Sequence, residues 1–140
     1  MPLMYNASKL NDSILRYISS ALVEQGYSDI NPSILKFLSV FECDVNYGSE
    51  IARALGVSRQ MVAKTVKELC RLGYLEQLDG QGKQKQIQFT ESGECLISEA
   101  RKVLADLDER LYKRFGKNNV SNVISDMENI NKLLAKLLDK

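Results

Sequence analysis

Arg59, Gln60, Lys64 and Lys67 fall within one short stretch, SRQMVAKTVKEL. These side chains donate hydrogen bonds, and their donors suit base edges and phosphate oxygens in a DNA major groove. The apolar residues between them set the geometry. Val62, Val66 and Leu69 recur at i, i+4 and i+7, which is one stripe of a helix. A helix that buries this stripe turns the donors outward, and Ser58 is placed to cap its first turn. Charge supports the same chemistry: across 58–85 there are six basic residues against three acidic ones, while the whole chain carries only +1. A local excess of this kind can hold a polyanion.

The elements that must position this helix are legible on both sides. Before it, Ser49 is expected to cap a shorter helix carrying Ile51, Ala52 and Leu55 inward, and Gly56 supplies the turn that ends it, with Val57 plugging the corner. Residues 48–74 thus predict a helix-turn-helix. Further upstream, a helix over roughly 8–25 carries Leu10, Ile14, Ile18, Ala21 and Leu22 on one side and ends at Gly26. Asn31-Pro32 opens a second helix with Ile34, Phe37, Leu38 and Phe41 inward, followed by a loop over 43–48.

Downstream, Tyr74–Leu78 predicts a strand, residues 79–83 a glycine-rich turn, and Lys85–Phe89 a second strand with Ile87 and Phe89 inward. Such a hairpin after a donor-bearing helix forms a wing, with Lys83 and Lys85 near its tip. Thr90 caps a long helix over 91–115 with Leu96, Ala100, Val103, Leu104, Leu107 and Leu111 as its seam, and Gly116 closes it. The last helix, 119–138, carries Val120, Val123, Met127, Ile130, Leu134 and Leu137 in alternating steps of three and four. The expected fold is therefore mainly α with a small β-hairpin: a winged helix-turn-helix over 30–90, with helical dimerisation parts over 1–29 and 91–140, in one domain of 140 residues. The terminal helices offer more apolar face than so small a body needs. Pairing with a second copy covers such a face, and a two-fold dimer suits a pseudo-palindromic site in double-stranded DNA.

Other chemistries find little support. The chain has no histidine, which removes Ser-His and Cys-His nucleophilic arrangements and the commonest metal ligand. Cys43, Cys70 and Cys95 form no CxxC pair. No cofactor and no metal are expected. Gly82-Lys83 resembles the end of a phosphate-binding loop, but Gln77 stands where the first glycine is required and Gln84 where Ser or Thr is required. An enzyme is not expected. Three unpaired cysteines and a start without a basic-then-apolar leader lead us to expect a cytoplasmic protein without membrane contact. The sequons at Asn6 and Asn11 carry no meaning in that compartment.

The order of elements resembles the MarR family of winged-helix transcriptional regulators over nearly the whole chain. SEIARALGVSRQMVAKTVKELCRLGYLEQ is similar to that family's helix-turn-helix and first wing strand, and FTESGECL to its wing exit. The resemblance implies a DNA-binding regulator, a repressor where its site overlaps a promoter. It gives Ser58, Arg59, Gln60, Lys64 and Lys67 the recognition role. It places Met61 and Ala63 against thymine methyls and Ser49 near a phosphate. It also implies an effector, commonly a small aromatic or anionic molecule. Tyr5, Tyr17, Phe41 and Tyr47 are candidates to line its pocket, and each equally suits ordinary packing.

The wing departs from the family pattern, which usually places an Asp and one or two Arg at the tip. Residues 79–85 contain no arginine. Lysine lacks the planar fork, so this wing is expected to read the minor groove more weakly and mainly to hold phosphates. Two further readings stand beside the regulator. A winged helix can serve as a protein-interaction module, although such a face should expose apolar anchors rather than Arg59, Gln60, Lys64 and Lys67. A cysteine-based redox sensor is the other. The family's peroxide-sensing branch is marked by a cysteine in the N-terminal helix, and here none precedes Cys43. Cys43, after the second helix, and Cys95, close to the start of the long helix, are the candidates, whereas Cys70 suits a small core residue.

Overall fold

The computed structural model describes residues 1–41, 46–79 and 85–139. Cys43 and Lys83, singled out above, lie outside them. The elements run α1 (Pro2–Glu24), α2 (Pro32–Leu38), α3 (Gly48–Leu55), α4 (Arg59–Arg71), β1 (Leu75–Asp79), β2 (Lys85–Phe89), α5 (Glu91–Phe115) and α6 (Lys117–Leu138). This is the expected order of helices and hairpin. The chain divides into two compact units, Met1–Arg101 and Lys102–Lys140.

In the first unit, local chemistry explains most boundaries. Asn31 adopts an extended backbone and its Oδ1 accepts a hydrogen bond from the Ile34 N–H at 2.9 Å, while Pro32 fills the first helical position of α2. Gly56 ends α3 in the left-handed region at φ 68°, where a side chain would be strained. The core gathers Leu22 of α1, Leu38 of α2, Ile51 of α3, Val62, Val66 and Leu69 of α4, Leu75 and Ile87 of the hairpin, and Leu96 of α5, all buried. Phe41 packs between Phe37 and Phe89 in tilted ring contacts, with centroids 5.4 and 5.7 Å away, and so ties the end of α2 to the wing.

The hairpin is antiparallel, with Leu75 opposite Phe89 and Asp79 opposite Lys85. Two strands of five residues hold poorly alone, and the segment before α3 supplies a third contact. Asn46 forms an isolated bridge with Ile87, whose N–H donates to the Asn46 carbonyl at 2.8 Å. The exit from the hairpin is similarly anchored. The Thr90 hydroxyl donates to the Gly73 carbonyl, and its oxygen accepts from the Gly93 N–H at 3.1 Å, capping α5 as expected. A Cβ at Gly93 would overlap the Tyr74 carbonyl. That close approach is why glycine stands three residues after Thr90.

Several expectations need correction. Helix α1 begins at Pro2 rather than near residue 8, because a proline at the first helical position starts a helix as well as a polar cap does. Leu10 is exposed, whereas Ser19 is buried and its hydroxyl donates to the Ile30 carbonyl at 3.5 Å. On α2 the buried residues include Leu35, and Ile34 is only half-buried. Leu55 and Val57 are likewise half-buried rather than plugged into the core.

The second unit contains the end of α5 and all of α6. Gly116, at φ 89°, separates the two helices. Helix α6 has no buried residue. Its stripe of Val123, Met127, Ile130, Leu134 and Leu137 is 36–56% exposed.

Candidate nucleic-acid interface

Helix α4 is positioned from both ends. At its start, Ser58 is extended and its Oγ accepts from the Met61 N–H at 3.1 Å, so this hydroxyl serves as the helix cap. At its end, Gly73 takes φ 90°, and the Tyr74 N–H donates back to the Leu69 carbonyl at 3.0 Å, turning the chain directly into β1. The inner stripe is sealed: Val62 and Val66 are each 1% exposed and Leu69 is 0% exposed. Rotation of the helix is thereby fixed, and with it the direction of the polar side chains.

Arg59, Gln60, Met61, Ala63, Lys64 and Lys67 are all exposed on the outer side. Helical spacing sorts them into rows. Gln60, Lys64 and Lys67 form the central row, Arg59 and Ala63 flank it on one side, and Met61 on the other. Met61 is 57% exposed and gives this face an apolar contact point beside the polar row. The row continues to Arg71, which sequence reading counted only toward local charge. The signal was its four-residue step from Lys67. Arg71 is held by Glu68: its Nε donates to Oε2 at 3.0 Å and its Nη2 to Oε1 at 2.5 Å. This two-point bond lowers the Glu68 carboxyl below its ordinary value and raises the Arg71 guanidinium, with Asp29 adding a weaker attraction for the latter.

Ser49 is not a cap. Helix α3 starts at Gly48, its cap residue is Tyr47, and no side chain caps it. Ser49 instead sits half-buried in the first turn. Its early position leaves its N–H among those without an intrahelical partner. Lys85 is exposed at the start of β2. The wing base is fastened beside α3 by the Asn46 bridge and by Gln86, whose Nε2 donates to the Tyr47 hydroxyl at 3.5 Å.

A cleft of about 540 Å³ runs between α2 and α4, lined chiefly by apolar atoms of Ile34, Phe37, Leu55, Val57 and Met61. Lys36, Lys64 and Glu68 also line it. Sequence reading missed this cleft, because it arises where residues of α2, α4, the end of α3 and the turn after it come together. The four aromatic candidates for an effector pocket do not line it. Phe41 is packed in the core, Tyr5 and Tyr17 are exposed on α1, and the Tyr47 hydroxyl is engaged by Gln86.

Among the described residues there is no group of three or more metal-ligating side chains. No helix among them is long and apolar enough to cross a membrane. The Cys70 thiol is half-buried, and burial, followed by the charge of Glu76, pushes it above its ordinary value. Cys95 is exposed.

A capped, inward-sealed helix with a basic outer row, followed by an anchored hairpin, defines a winged helix-turn-helix. Its particular form, with a long α5 after the wing and a further α6, is the fold of the MarR-type regulators. The DNA-bound structure of FabT from Streptococcus pneumoniae superposes with a TM-score of 0.80 at 14% identity, covering 97% of each chain. A MarR transcriptional regulator from Methanosarcina mazei gives 0.76 at 15% identity, over 99% of this chain and all of the other. Wild-type MarR from E. coli in its apo form gives 0.67 at 20% identity, over 98% and 95% of the two chains. No protein-family model matches the chain, and no curated protein sequence matches it.

Proposed function

We propose that this protein is a MarR-type transcriptional regulator that binds double-stranded DNA as a homodimer. The outer face of α4 carries this reading. Gln60, Lys64 and Lys67 stand in one exposed row over a fully sealed inner stripe. In the major groove the N-terminal half of α4 would offer Arg59 and Gln60 to base edges, and Met61 and Ala63 to thymine methyls. Ser58 stays at the helix start as the cap, and Ser49 in the first turn of α3 would bring an early N–H to a phosphate. Lys64, Lys67, Lys85 and Lys83 supply sequence-independent phosphate contacts. The structural likeness to FabT, solved on DNA, adds support.

The exposed apolar stripe of α6 and the exposed Leu3, Met4 and Leu10 of α1 favour a second copy as partner. Two-fold symmetry then sets two α4 helices about one DNA turn apart, ~34 Å. Repression follows where the site overlaps a promoter. A small-molecule effector would act through its unequal affinity for DNA-ready and DNA-unready forms. The α2–α4 cleft offers such a molecule contact with Met61 and Lys64.

The test is fluorescence anisotropy with DNA from upstream of the protein's own gene and with an unrelated duplex, at several salt concentrations. Tight, salt-dependent binding that prefers one sequence is expected, on the upstream fragment or on a fragment recovered by selection from genomic DNA. Equal, weak binding to every fragment would turn the assignment toward a protein-binding winged helix.

A further inference from the structure

We propose that Glu68 is a positioning residue that attenuates DNA affinity by holding Arg71 away from phosphate. The proposal rests on the DNA-binding reading above. Gln60, Lys64, Lys67 and Arg71 follow one another in steps of four, three and four on α4, so they lie along one exposed row about 16 Å long. Three of the four are ready to meet DNA. Among the described residues, no ion pair ties Lys64 or Lys67, and Gln60 carries no charge. Arg71 alone in this row is occupied, by both carboxylate oxygens of Glu68.

The chemistry of that pair matters more than its existence. A guanidinium presents the same fork to a carboxylate and to a phosphate. Glu68 therefore fills the donors that a DNA phosphate would use. The pair is also open to exchange, since the Arg71 side chain is 67% exposed and that of Glu68 51% exposed. An exposed pair of this kind is held only weakly, yet it must be broken before Arg71 can contribute. The same two-point hydrogen bond lowers the carboxyl value and raises that of the guanidinium, so both partners are ionised at neutral pH. Each phosphate neutralised adds close to one unit to the salt dependence of binding. A chain whose Arg71 is withheld should bind every duplex less tightly, and with a shallower salt slope, than its row of side chains allows.

The experiment compares the full-length protein with Glu68→Gln, Arg71→Gln and the double variant. Anisotropy titrations use a preferred fragment and an unrelated duplex at four salt concentrations, with melting curves to confirm that all four proteins are folded. Glu68→Gln should tighten binding to both duplexes at least threefold and steepen the salt slope by about one unit. In the Arg71→Gln background the same change should give a clearly smaller gain and leave the slope unaltered. An equal gain in both backgrounds would mean that Glu68 merely repels DNA and would overturn the proposal. So would the absence of any gain in a protein that otherwise binds. If the unmodified protein shows no salt-dependent binding to any duplex, the DNA-binding assignment fails first and this inference fails with it.

Discussion

Helices α4 and α6 are both amphipathic, and they use their two faces in opposite ways. In α4 the apolar stripe is spent inside the subunit, with Val62, Val66 and Leu69 at 0–1% exposure, and the polar face is left for a partner. In α6 the apolar stripe is itself exposed and no residue of the helix is buried. Amphipathic patterning therefore says that a helix has a buried side but not which molecule buries it. The thirteen residues of α4 are held by the core and by caps at both ends. The 22 residues of α6 have no buried side chain, although helices in proteins draw most of their stability from packing an amphipathic face. On the proposed function, the polar face of α4 would take DNA and the apolar stripe of α6 a second copy of the chain.

Substituting one leucine in each stripe should break the comparison most visibly. Leu69→Ala removes a side chain with 0% exposure and should cost about 2–5 kcal/mol in chemical denaturation, independent of protein concentration. Leu134→Asp, by contrast, alters a residue that is half exposed. It should leave the winged-helix body folded but yield monomers in analytical ultracentrifugation. If the unmodified protein already sediments as a monomer at tens of micromolar, the assignment of the α6 stripe to a second copy fails.

The outer face of α4 gives the next largest effect. Arg59→Ala should weaken binding to the preferred sequence by about 1–3 kcal/mol and relax preference at one base position, as expected for a bidentate base contact. An unchanged preference across single-base variants of the site would remove Arg59 from the reading set. Lys85→Ala should act more mildly and uniformly, lowering the salt slope by about one unit on every duplex. A loss confined to one base position would show instead that the wing reads sequence.

How much of this was legible in the chain depended on how local the cause was. The inner stripe of α4, the turn at Gly56 and the caps at Asn31, Ser58 and Thr90 are all set by neighbours within four residues, and each is found in place. Ser49 misled because a serine before a helical pattern suits a cap, yet Gly48 is already helical. The Asn46–Ile87 bridge, 41 residues apart, and the α2–α4 cleft depend on tertiary approach and leave no local pattern. The Glu68–Arg71 pair is the instructive intermediate. Its i, i+3 spacing was visible, but the closed two-point geometry that withholds Arg71 was not.

The smallest expected effect concerns the cysteines, and it bears on whether either face responds to oxidants. Cys70 lies on α4 itself, next to Arg71 at the end of the row, and would be the natural place for a redox switch acting on DNA binding. Its surroundings oppose that role. Burial comes first and the carboxylate of Glu76 second in raising the thiol above its ordinary value, so the thiolate fraction at neutral pH falls below that of a free cysteine. Cys95, exposed on the first turns of α5, has no such cover. Alkylation with iodoacetamide at neutral pH, followed by peptide mapping, should therefore label Cys95 well before Cys70, and the lag should shorten as the pH rises through the thiol range. Because Cys95 lies outside both the α4 row and the α6 stripe, its modification should leave DNA affinity within about twofold. Faster labelling of Cys70, with loss of DNA binding in step, would instead make α4 an oxidant-sensitive element and restore the redox sensor as the better description.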